Sequence, residues 1–99
     1  MTLNIIIKPS HLPHKKYDAV IDGKKTIPFG HKNASDFTKH KDEERKQRYI
    51  DRHRKSENWN DIKSAGFYSR WVTWNKPTLS QSVSDINNKF KNVHVKLKI

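Results

Sequence analysis

Between Ser64 and Ser82 the chain reads SAGFYSRWVTWNKPTLSQS, the stretch whose reading decides the fold. Two of the three tryptophans, Trp71 and Trp74, lie in it. Phe67, Trp71 and Trp74 recur at i, i+4 and i+7, a spacing that predicts one apolar face of a helix over residues 65–74, with Ser64 as its cap. Asn75-Lys76-Pro77 ends that helix, because proline lacks the N–H a continuing helix needs. Thr78-Leu79-Ser80-Gln81 then has the form of a capping box. Leu79, Val83, Ile86 and Phe90 follow at i, i+4, i+7 and i+11 and predict the cleanest amphipathic helix in the chain. Two adjoining apolar helix faces need a common partner, so Trp71 and Trp74 are expected in the core rather than on a base-stacking surface. Trp59, in the polar loop 56–61, is expected to cover the core edge with its indole N–H hydrogen-bonded.

The partner is read in the first third of the chain. Leu3 to Lys8 is a β-branched run ending at Pro9. Tyr17 to Ile21 alternates before Asp22-Gly23, and Lys24 to Phe29 follows. Asp-Gly between two such runs is a hairpin signal, since glycine accepts the positive φ of a tight turn. Pro28 marks the second hairpin strand as short or at an edge. At the other terminus Val93, Val95, Leu97 and Ile99 alternate with His94, Lys96 and Lys98, a period of two that predicts a closing strand. The segment 42–55 reads as a further helix, capped by Asp42 or Thr38. Its acids gather in the first turn, and Arg52, Arg54 and Lys55 in the last, as the helix dipole favours. The expected fold is therefore α+β: a small antiparallel sheet, made of the N-terminal hairpin plus terminal strands, packed against three helices. With 99 residues and no repeat, one domain spanning 1–99 is expected.

Only 32% of the residues are hydrophobic while 31% are charged, so the core is thin and the large aromatics must supply much of it. The absence of cysteine excludes a disulfide frame, a thiolate zinc site and a thiol nucleophile. No apolar run is long enough to cross a membrane, and residues 1–12 lack the apolar core of a signal peptide, so an intracellular or virion-enclosed location is expected. The six histidines form no recognisable ligand set. His11 and His14 are separated by Leu12-Pro13, and helical His53 beside Tyr49 reads as a hydrogen-bonded residue at the core edge. No Ser/His/Asp order, glycine-rich phosphate loop or paired carboxylates with acid–base spacing is present. A non-enzymatic protein without cofactor or metal is expected.

The formal charge of +11 is spread along the chain rather than held in a tail. A surplus of this size suits a polyanionic partner or an acidic protein face. The most ordered part of it is in KDEERKQRYIDRHRK, residues 41–55. There Lys41, Arg45, Arg48, Arg52 and Lys55 fall within an arc of about 80° at 100° per residue, while Tyr49, Ile50 and His53 occupy another arc, facing inward. A row of cations suits a phosphate backbone, because each contact releases condensed counterions. The competing reading is a solvated helix face held by Glu44–Arg48 and Asp51–Lys55 pairs at i, i+4.

Several short motifs add a resemblance: Lys16-Tyr17, Phe29-Gly30, Ser35-Asp36-Phe37, His40-Lys41-Asp42-x-Glu44-Arg45-Lys46-x-x-Tyr49, Arg52-His53, Glu57-Asn58-Trp59-Asn60-Asp61, Ala65-Gly66-Phe67 and Trp74-Asn75-Lys76-Pro77-Thr78. Through them the chain, over roughly residues 15–90, resembles a family of small basic uncharacterised proteins encoded by giant double-stranded DNA viruses. The resemblance implies a viral origin, a compact domain and a genome-associated or virion component, found in the virion or in host cytoplasm or nucleus. It implies no activity and no catalytic residues. The expected function is non-specific nucleic-acid binding, to duplex DNA, through phosphate contacts by Lys41, Arg45, Arg48, Arg52 and Lys55. The alternative is a structural adaptor whose basic face docks on an acidic capsid or membrane-protein surface of a virion.

Overall fold

The computed structural model describes residues 2–99. Three strands come first: β1 Leu3–Pro9, β2 Lys15–Ile21 and β3 Lys25–His31. Asp22 and Gly23 take φ of +52° and +69° at the hairpin tip, where the Lys24 N–H bonds the Ile21 carbonyl at 2.9 Å. The left-handed backbone at Asp22, uncommon away from glycine, is offset by its carboxylate accepting the Asn4 N–H at 2.9 Å, which ties the turn to β1.

The helices follow: α1 Phe37–His40, α2 Glu43–His53, α3 Ala65–Tyr68 running straight into a π-helical stretch Ser69–Thr73, and α4 Leu79–Lys89. Strand β4, Val93–Leu97, ends the order. The sheet is β3-β2-β1-β4, with β1·β2 and β2·β3 antiparallel. Pro28 therefore lies on an edge strand, as expected. The sheet as a whole is mixed rather than purely antiparallel, because β4 runs parallel to β1. Only Phe90–Asn92 separate α4 from β4. The outer edge of β4 is blunted by Asn87, whose carboxamide bonds both the N–H and the C=O of Val95.

One sheet face carries the core. Ile5, Ile7, Ala19, Ile21, Ile27, Phe29, Val93 and Val95 bury against Phe67, Tyr68, Val72, Val83 and Ile86, with Leu79 and Phe90 packed at the rim. Each fully buried Ile or Phe contributes about 1.5–3 kcal/mol. The Thr78 hydroxyl caps α4 by accepting the Gln81 N–H, while Gln81 reaches the Thr78 hydroxyl rather than its backbone. Asn75 bonds Asp85, and the Ser82 hydroxyl accepts the Lys76 N–H, so the segment before Pro77 is stapled to α4.

Asp18, 1% exposed, is the buried carboxylate of the sheet. Burial alone would raise its pKa, but the His11 ring, the Ser10 hydroxyl and the His11 N–H outweigh that and hold it below the usual carboxylate range. Because the folded pKa lies below the unfolded one, its stabilising contribution is present above about pH 4 and is lost as the pH falls through the folded value. Asp18→Asn is expected to cost about 1–3 kcal/mol at pH 7 and to flatten the acid limb of stability in urea titrations at several pH values. Asp85, shifted the same way, keeps part of that limb. An unchanged acid limb in Asp18→Asn would show that Asp18 does not carry the linkage.

Candidate functional site

Helix α2 starts at Glu43, because the Asp42 carboxylate caps it by accepting the N–H groups of Glu44 and Arg45. Its one buried residue is Tyr49. The helix is therefore held on the body chiefly through that ring, which stacks on Trp74 at 4.4 Å with an interplanar angle of 1° and on His53 at 4.3 Å. Lys46, over the Phe37 ring at 4.9 Å, adds a second hold against α1. Burial pushes the Tyr49 hydroxyl well above its ordinary value, so it stays a phenol.

Arg45, Arg48 and Arg52 are exposed on this helix. Arg48 lies 3.9 Å from Glu44, with both side chains mostly exposed, a pair worth little. Among the described residues no carboxylate lies within ion-pair distance of Arg45 or Arg52. Asp51 pairs with Arg54 and accepts from Gln47, not from Lys55 as the spacing predicts. The stripe is shorter than its sequence period. Lys41 closes α1 in a left-handed conformation, and its ammonium bonds the Thr38 carbonyl at 2.9 Å. Lys55 lies past the helix end, in a turn. Three of the five expected contact residues thus share the helix, and the other two flank it.

The three arginines line a cleft of about 400 Å³ with Ala34, Ser35, Tyr49, His53 and Trp74. A second basin of about 260 Å³ shares Ala34, Ser35, Tyr49, His53 and Trp74 and adds Lys15, Lys16, Asp36 and Glu57. The His53 Nδ1 lies 3.0 Å from the Tyr49 carbonyl. A carbonyl only accepts, so Nδ1 is the donor there. His40 also approaches the Trp74 indole, at 5.2 Å between ring centres. Burial first, and the Arg45 guanidinium second, push His40 below the usual imidazole range.

Trp71 and Trp74 part company. Trp71 packs on the core against Phe90, donates its indole N–H to the Trp59 carbonyl at 2.8 Å and is flanked by Arg70 and Lys89. Trp59 covers this edge and donates its own N–H to Glu57, as expected. Trp74, expected in the same core, lies outside it and walls the cleft. The cause is the π-helical turn, in which the Trp74 N–H reaches back five residues to the Ser69 carbonyl at 2.9 Å. That wider turn rotates Trp74 off the Phe67–Trp71 face and toward α2.

The wall opposite α2 is positioned by a buried ion pair. The Lys16 stem passes over Gly30, and its ammonium meets the Asp36 carboxylate, with the two side chains 8% and 4% exposed. Asp36 also caps α1 and accepts the Thr38 hydroxyl. Gly30 is favoured here by its φ of +76°, and a Cβ would also crowd the Lys16 Cβ at 3.3 Å.

Residues 5–53, just under half of the chain, match a family of unknown function (DUF5754). The matched region carries β1 to β3, α1 and α2, hence the arginines and the Lys16–Asp36 pair; Trp74 lies beyond it. No curated protein and no solved structure matches the chain.

Proposed function

We propose that the protein is a non-enzymatic nucleic-acid-binding domain that contacts phosphates without reading base sequence, as a genome-associated component of a large double-stranded DNA virus. The viral part of the proposal rests on the motif resemblance. The nucleic-acid part rests on one observation: Arg45, Arg48 and Arg52 stand in a row on one wall of a concave cleft, with Arg45 and Arg52 lacking an ion-pair partner among the described residues. From Arg45 to Arg52 the helix rises about 10 Å, enough to meet two or three successive phosphates of a strand. A concave row favours a strand that enters it over the flatter surface an acidic protein partner would offer, which sets the adaptor reading second.

Binding to random-sequence DNA, presented as duplex and as single strand, is expected to be indifferent to sequence and to weaken steeply with salt. Three phosphate contacts give a log–log slope near −2 to −3. Fluorescence anisotropy across a salt series measures it. A flat salt response, or no binding at low salt to either form, would remove nucleic acid as the partner and leave the adaptor.

A further inference from the structure

The cleft holds more than a charge row. A phosphate backbone lying on the surface would use the arginines and leave the concavity empty. Yet the floor beside them is aromatic: Trp74, Tyr49 and His53 stack face to face, Tyr49 between the other two, so that the edges of the stack border a space of about 400 Å³. That volume falls in the range of cavities that take a small planar ligand, and the chemistry of the two walls differs. One is cationic and forked, suited to phosphate oxygens. The other presents aromatic ring edges, which take the face of a base in edge-to-face packing. In a duplex the faces of the bases are covered by their neighbours, so only an unpaired nucleotide can present both groups together.

On the nucleic-acid reading above, on which this rests, we propose that the cleft admits one unpaired nucleotide of a single strand. Its base lies against the Trp74–Tyr49–His53 wall, and its flanking phosphates run along Arg45, Arg48 and Arg52. A strand is the ligand rather than a free mononucleotide because one phosphate cannot engage a row about 10 Å long. Sequence indifference is retained, since every base has a π-face. The π-helical turn at Ser69–Thr73 is then the device that builds the site, because it takes Trp74 out of the core and sets it beside the arginines.

The test compares three labelled 12-nucleotide probes at one low salt concentration: a random single strand, an abasic sugar–phosphate strand of equal length, and a random duplex. The phosphates are the same in the first two, so any difference between them reports base contact. The single strand is expected to bind about ten-fold or more tighter than the abasic strand, and tighter than the duplex. Trp74→Leu, checked for folding by its melting curve, is expected to close the gap between the single and the abasic strand, the ratio of the two on the same variant being the readout, since loss of the Tyr49–Trp74 stack also loosens the helix that carries the arginines. If the variant fails to fold, the comparison of probes on the unaltered chain decides alone. Equal affinity for normal and abasic strands overturns the base site and leaves phosphate binding standing. Binding of no probe overturns both.

Discussion

Asp36→Ala is expected to destabilise the protein by about 3–5 kcal/mol, a third or more of the stability of a domain of ordinary size. The loss has two sources. The Lys16 ammonium, its side chain 8% exposed, is left without its counter-charge in a place water hardly reaches. Helix α1, only four residues long, loses the side chain that caps it. Lys16→Met should be costly as well, since Asp36 then stays buried with only the Thr38 N–H and hydroxyl to accept from. The double variant Lys16→Met/Asp36→Leu, which removes both charges, is expected to lose clearly less than the sum of the singles, with a coupling of about 2 kcal/mol or more. Urea denaturation of the four chains measures the cycle. A loss below about 1 kcal/mol in Asp36→Ala would mean that the pair is solvated and does not position the cleft wall.

This pair also shows what the sequence makes legible and what it does not. Lys16-Tyr17, Phe29-Gly30 and Ser35-Asp36-Phe37 are visible as motifs, but nothing in their spacing says that they are one device. Only folding places the Lys16 stem over Gly30 and brings its ammonium to Asp36, twenty residues away. The layers themselves were readable. Asp22-Gly23 announced the hairpin, the Leu79–Phe90 stripe announced α4, and the alternation from Val93 to Ile99 announced β4, which ends at Leu97 and leaves Ile99 exposed, because local periods report directly on which face is buried. The sense of β4 was not readable, since alternation is the same in a parallel and an antiparallel strand.

The candidate site was half legible for a related reason. The arginine row follows from helical periodicity, and at 100° per residue Tyr49 lies only about 60° around the helix from Arg52. Such adjacency is the one sequence signal that the cationic and aromatic surfaces meet at an edge. What stayed hidden was the third wall. An α-helical period puts Trp74 on the core face with Phe67 and Trp71, and the π-helical turn that rotates it away has no signature in SRWVT. Lys41 and Lys55 fit the stripe in register but fall outside the helix, because Asp42 caps it and the helix ends at His53.

The central claim is that the arginine row, and not the overall positive field, makes the contact with nucleic acid. It is tested by replacing Arg45, Arg48 and Arg52 together by Gln, which keeps helix propensity similar and lowers the formal charge from +11 to +8. The control replaces Lys24, Lys25 and Lys96, all exposed and all on the sheet side, and loses the same charge. With three contacts worth roughly 1 kcal/mol each, the arginine variant is expected to bind a random single strand about a hundred-fold more weakly at low salt. Its salt slope should shrink by about 2–3, while its melting temperature stays close to that of the unaltered chain. The control should lose only a few-fold. If instead the two variants lose affinity equally, only the net charge matters and the row on α2 is not the contact surface.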